Sequence, residues 1–157
     1  MRLALSRIMA VDIINRSKGK KVSAQRIKSK AYRILKLLGE EQSELSLALV
    51  GNGEIQKLNA HYRKKNEPTD VLSFPQEEDL ATGGRLLGDV VISVEQAERQ
   101  SKGENKPLEA EMEALLIHGI LHLLGYDHEV SPAEARRMKR MESRIRDALC
   151  DPTQMKL

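Results

Sequence analysis

The sequence predicts an α/β (α+β) fold: a single compact domain over residues 1–157, with a small mixed sheet of about four strands packed with helices. Three observations carry this prediction. A length of 157 residues suits one domain with a core of its own. Hydrophobic residues at 40% and charged residues at 31% give a globular composition, not that of a disordered chain. Short strand-like runs alternate with helix-periodic segments that carry their own start and stop residues.

The elements follow in order. Val11 to Asn15 alternates weakly and reads as a first strand. Ser23 is placed to cap a helix that runs to Leu38 and stops at Gly39, with Ile27, Ala31, Ile34, Leu35 and Leu38 at helical spacing. Leu45 to Val50 is a Leu- and Val-rich strand. The Gly51-Asn52-Gly53 turn leads into a helix from about Glu54 to Arg63, with Ile55, Leu58 and Tyr62 on one face.

Pro68 forbids helix through Glu67, after which Val71 to Phe74 reads as a strand closed by Pro75. An acidic loop from Gln76 to Gly84 follows. Gly88 to Val94 is the strongest strand signal, and Ser93 with Gln96 forms a capping box for the next helix. Pro107 at the first helical position, backed by Glu109, Glu111 and Glu113, starts a long helix ending at Gly125. Ser131 to Glu134 is a second capping box, opening a last helix to about Leu149 with a stripe of Met138, Met141, Ile145 and Leu149.

Composition excludes several classes of function. Aromatic residues are 3% of the chain, so the core must be aliphatic and a platform of stacked bases is ruled out. The one cysteine, Cys150, excludes a disulfide framework and a Cys-rich zinc site, and it fits a reducing compartment. The longest apolar stretch, Leu115 to Leu124, is half of what a membrane span needs and holds two histidines. Met1 to Val11 carries Arg2 and Arg7 and lacks the apolar run of a signal peptide, so a soluble cytoplasmic protein is expected.

The net charge of +3 conceals a strong segregation. Residues 1–39 hold eleven Lys/Arg against the single acid Asp12, residues 40–130 hold eight against eighteen acids, and residues 131–157 hold seven against four. Basic ends around an acidic middle point to a polyanionic partner, or to solvated helix faces.

Three of the four histidines, His118, His122 and His128, fall within eleven residues. The first two are four apart on a helix and share a face. Gly125 can take the left-handed conformation that ends the helix and returns the chain, bringing His128 to the same point. The helix around the pair is otherwise apolar, and an unsatisfied buried imidazole would cost about 1–3 kcal/mol, so three core histidines at this spacing read as metal ligands. The pattern H-x3-H-x2-G-x2-H matches that of the metzincins at every metal-binding position.

Three neutral imidazoles leave a divalent ion its charge and an open position, which is the make-up of a catalytic site. Zinc suits this donor set, and nickel or copper would also accept it. The peptidase motif carries a Glu general base after the first His; here that residue is Gly119. Amide hydrolysis needs protonation of its leaving group more than phosphodiester cleavage does, so a metallopeptidase would require another acid, such as Asp127 or Asp89. Arg63, Lys64 and Lys65 close a helix, where cations complement the dipole, and Arg63 could alternatively hold a phosphate in its bidentate fork. Thr69 and Asp70 fit turn chemistry at the start of a strand, and His61 reads as a surface or packing residue.

His118-Gly119-Ile120-Leu121-His122-Leu123-Leu124-Gly125-Tyr126-Asp127-His128 resembles the signature of the bacterial YbeY family of rRNA-maturation endoribonucleases. Pro68 to Pro75 and Gly88 to Ser93 resemble its two other hallmarks, in the same order. The resemblance implies one zinc ion on His118, His122 and His128, single-strand-specific RNA cleavage, maturation of the 3′ end of small-subunit (16S) rRNA, and a part in ribosome quality control. It implies RNA and the ribosome or its small subunit as partners, a cytoplasmic location, and neither a membrane nor DNA as partner. The family's functional arginine falls on Arg63, which with the three histidines makes the expected catalytic set and is itself the expected substrate-binding residue. Asn66 departs from the family's more usual Asp and is given no role. The remaining alternatives are a zinc metallopeptidase and a non-catalytic, zinc-stabilised ribosome-assembly factor.

Overall fold

A computed structural model describes residues 11–19, 21–81, 83–151 and 153 of the chain. The reading of Met1 to Ala10 therefore lies outside the described residues. In chain order the elements are β1 (Val11–Asn15), α1 (Ala24–Leu37), β2 (Glu44–Val50), α2 (Asn52–Arg63), β3 (Val71–Asp79), β4 (Arg85–Ser93), α3 (Val94–Gly103), α4 (Leu108–Leu123) and α5 (Pro132–Cys150). The four strands form one mixed sheet in the order β1-β2-β4-β3. β1 pairs with β2 and β2 with β4 in parallel, whereas β3 runs antiparallel along β4 as an edge strand.

Helices pack on both faces of the sheet, extensively on one and over part of the other. On one face the main core joins Leu45, Leu47, Leu49, Leu87, Val90 and Ile92 to side chains of α1, α3, α4 and α5. On the other, Ile55 of α2 closes a smaller cluster with Val50, Leu72 and Val91. α4 is apolar on nearly all sides, and Met112, Leu116, Ile120 and Leu121 are each fully buried. A helix of that kind belongs inside the molecule, and α4 lies between the sheet and α5.

Local signals are honoured at the helix starts. The hydroxyls of Ser23, Ser93 and Ser131 each accept the backbone N–H three residues on, from Arg26, Gln96 and Glu134. The predicted apolar stripe of α1 is buried at Ile27, Ala31, Ile34 and Leu35, and that of α5 at Met138, Ile145 and Leu149.

Four expectations change in detail. Pro107 is the residue before the first turn of α4, not its first helical residue. Tyr62 is 60% exposed, because it packs edge-on against Phe74 at the rim and not beneath α2. α2 begins earlier than Glu54, at Asn52, with Gly51 as its cap. β3 does not stop at Pro75 but continues to Asp79, which shortens the acidic loop. The ladder explains why proline is tolerated. The N–H of Ser93 donates to Asp70 O at 2.9 Å, so alternation turns the backbone groups of residues 71, 73 and 75 away from β4. The N–H that Pro75 lacks would face the open edge of the sheet.

Candidate metal centre

The last turn of α4 builds the centre. His118 and His122 project from one face of the helix, and the helix ends with Leu124 as its cap. Gly125 follows at φ +97°, its N–H donating to His122 O at 3.1 Å while Tyr126 N–H donates to Leu121 O at 3.0 Å. This pair of bonds is a Schellman turn, and it needs a residue without a Cβ at the left-handed position. Beyond it, the Asp127 carboxylate accepts the N–H of Glu129 at 2.9 Å and fixes the bend that carries His128 back over the helix.

The three rings meet as the spacing predicts. Their centroids are 4.8 Å (His118–His122), 5.1 Å (His118–His128) and 5.4 Å (His122–His128) apart. Each offers one ring nitrogen, these nitrogens lie within 4.8 Å of one another, and the three could hold a metal ion. His118 and His122 are half-buried and His128 is exposed. The Glu129 carboxylate lies 3.9 Å from His128 Nε2, too far for a hydrogen bond.

His118 is held from behind. Its Nδ1 lies 3.1 Å from Oε2 of Glu142 on α5. A carboxylate only accepts, so Nδ1 donates and the lone pair resides on Nε2, on the opposite side of the ring. A carboxylate behind a ligating histidine is the usual partner of such sites and raises the basicity of the ring. His122 titrates below its ordinary range: burial disfavours its imidazolium first, followed by the charges of His118, His128 and Arg63, with Asp127 opposing. A neutral imidazole is the form that binds a metal. Donor chemistry, convergence and the carboxylate behind His118 all fit a divalent ion.

The centre opens into a cleft of about 450 Å³ between α4, α2 and the edge strand β3. Arg63 is the last residue of α2 and lines this cleft with the histidines; its Nη2 donates to Ser73 O at 3.4 Å. It therefore stands both at a helix C-terminus and at the mouth of the site. Asp70 is occupied structurally, accepting Val71 N–H at 2.8 Å and Gln100 Nε2 at 3.2 Å. Asp127 lines the cleft, but Asp89 does not; it lies across from Phe74 on β4, where burial raises its carboxyl. His61 packs on Tyr62 at the surface.

Gly119 has a structural reason. An added Cβ would lie 2.6 Å from Val90 Cγ1 and 3.3 Å from Val71 Cγ2, so this face of α4 is pressed onto the sheet and has no room for a glutamate. The buried hydroxyl of Ser73 donates to Gly119 O at 2.9 Å, tying β3 to the helix between its two histidines. Three site residues were not singled out from sequence: Glu142, Ser73 and Asn59, whose buried amide donates to Glu67 O at 2.9 Å and shapes the cleft wall. Glu142 had one legible sign, an acid at the border of the apolar stripe of its helix.

Among the described residues, no helix is long and apolar enough to cross a membrane. Residues 12–150 match the family described as Endoribonuclease YbeY. A protein of that name from Thermodesulfovibrio yellowstonii is 36% identical over 151 residues, covering 87% of this chain and 95% of the relative. Another, from Aquifex aeolicus, is 43% identical over 133 residues, covering 85% and 88%. Among solved structures, the solution structure of TM1509 from Thermotoga maritima superposes with a TM-score of 0.57 at 29% identity, over 92% of this chain and 94% of that one.

Proposed function

Because this chain belongs to the Endoribonuclease YbeY family, we propose that it is a zinc-dependent endoribonuclease that cuts single-stranded RNA. On this reading it matures the 3′ end of small-subunit rRNA and serves ribosome quality control in the cytoplasm, with the small subunit as partner. It does so as a single domain spanning residues 1–157. The observation that carries the proposal is the convergence of His118, His122 and His128 in a cleft that Arg63 also lines.

His118, His122 and His128 would hold the metal, zinc being the best match to three imidazoles. When bound, the ion supplies Lewis acidity at a phosphoryl oxygen and lowers the pKa of water. Glu142 keeps the proton of His118 on Nδ1, so the opposite nitrogen stays available as a donor. Arg63 binds the scissile phosphate and offsets charge that accumulates as the bond breaks. The absence of a carboxylate at Gly119 favours phosphodiester over peptide hydrolysis, since an alkoxide leaving group needs less help from a proton donor. The peptidase alternative loses Asp89, which does not reach the cleft.

The test is incubation of metal-replete and chelator-stripped protein with a defined single-stranded RNA. Cleavage that needs the metal, vanishes in His122→Ala, and falls about 10²–10³-fold in Arg63→Ala is the expected result. RNA left intact by metal-replete protein, or cleavage that persists in His122→Ala, overturns it.

A further inference from the structure

The two basic ends of the chain are not equivalent once folded. In the first, most described cations are engaged. Arg16 pairs with Glu54, Lys21 with Glu98, Arg26 with Glu109 and Lys30 with Glu113, while Arg33 donates to Leu149 O. On α1 itself Arg26 and Lys30 are held by carboxylates, whereas Lys28 and Lys36 have no partner among the described residues. α5 carries more free cations. Among the described residues, Arg136, Lys139, Arg140 and Arg144 are exposed and have no carboxylate or hydrogen-bond partner.

The acids of α5 do not offset them. Glu134 is paired with Arg137, Glu142 faces His118, and Asp147 lies at the C-terminal end of the helix. Arg136, Arg140 and Arg144 recur every four residues and form one ridge about 12 Å long, with Lys139 beside it. The N-terminal end of α5 approaches the site, and the ridge runs along the face of the helix opposite Glu142. α5 starts four residues after His128, Arg137 stacks over Tyr126 at 4.3 Å, and Glu142 contacts His118.

We propose that the outer face of α5, more than α1, is the track along which the phosphate backbone of a single-stranded RNA is held beyond the cleft. The inference rests on the RNA-cleaving reading of that cleft. Arginines and a lysine without internal partners release counterions when they meet phosphates, whereas cations already paired with carboxylates gain little. Binding along α5 is therefore independent of base sequence and steeply dependent on salt.

The test measures anisotropy of a labelled 20-nucleotide oligouridine with the full chain, in chelator so that binding is read without hydrolysis. Neutralising Arg136, Lys139, Arg140 and Arg144 to Gln should weaken binding on the order of tenfold and flatten the slope of log K against log salt by about 2 to 3. Arg136→Gln with Arg140→Gln should give about half of that change. Arg26→Gln with Lys30→Gln on α1, whose cations are already held by carboxylates, should leave the slope as it is. An unchanged slope in the α5 variants, an equal loss in the α1 variant, or tighter binding of α5 to anionic phosphatidylserine vesicles than to the RNA overturns the proposal. Loss of RNA hydrolysis in metal-replete wild-type protein would sink the enzymatic reading alone, because the binding measurement does not depend on it.

Discussion

The Glu142 carboxylate sits 3.1 Å behind the Nδ1 of His118, joining two helices across 24 residues of sequence. Neither residue is exposed enough for this to be a casual surface pair, at 26% and 23% side-chain exposure. The contact sets which nitrogen of His118 is free to act as a ligand, and it makes α5 part of the candidate metal centre.

Glu142→Gln should therefore weaken metal binding about 10–100-fold while leaving the fold in place. Competition against a chromophoric chelator measures the affinity, and circular dichroism measures the fold. A glutamine amide can still bond to the ring but cannot supply the negative charge. Wild-type affinity in this variant would mean that the carboxylate has no hold on the site.

Gly119→Ala tests the seat of α4 on the sheet. Replacing a helical glycine gains up to about 1 kcal/mol, yet the new methyl must enter 2.6 Å from Val90 Cγ1. Overpacking of that kind costs about 1–3 kcal/mol, so the thermal midpoint should fall by a few degrees. Combining it with Val90→Ala should cost less than the sum of the two single changes, and strict additivity in the cycle would refute the contact.

Acid should destabilise the metal-free protein through His122. Its pKa is lowered in the folded state, chiefly by burial, so below about pH 6.5 the unfolded chain takes up a proton that the native one resists. Stability is therefore full above that pH and declines as pH falls toward the lowered native value. Thermal midpoints between pH 7.5 and 5.5 should show this slope, and His122→Gln should make it shallower. Identical slopes would remove His122 as the cause.

Most of the secondary structure was legible because its determinants are local. A serine three residues from the N–H it caps, a glycine after the last turn and a stripe at helical spacing all act within one or two turns of chain. The same holds for the histidines: spacing of four on a helix and the Gly125 turn are enough to bring the rings of His118, His122 and His128 together. The run through Pro75 was not legible, since its tolerance depends on β3 lying at the sheet edge with residue 75 facing outward.

Sequence alone determined the convergence of the three histidines and the charge segregation, because both reside in short-range spacing and composition. Only the tertiary structure decided that Glu142 backs His118, that Gly119 abuts Val90, and that Arg26 and Lys30 of α1 are paired while four cations described on α5 are free. Those relations join residues tens of positions apart. They exist only once the sheet and helices have packed, so no local pattern encodes them.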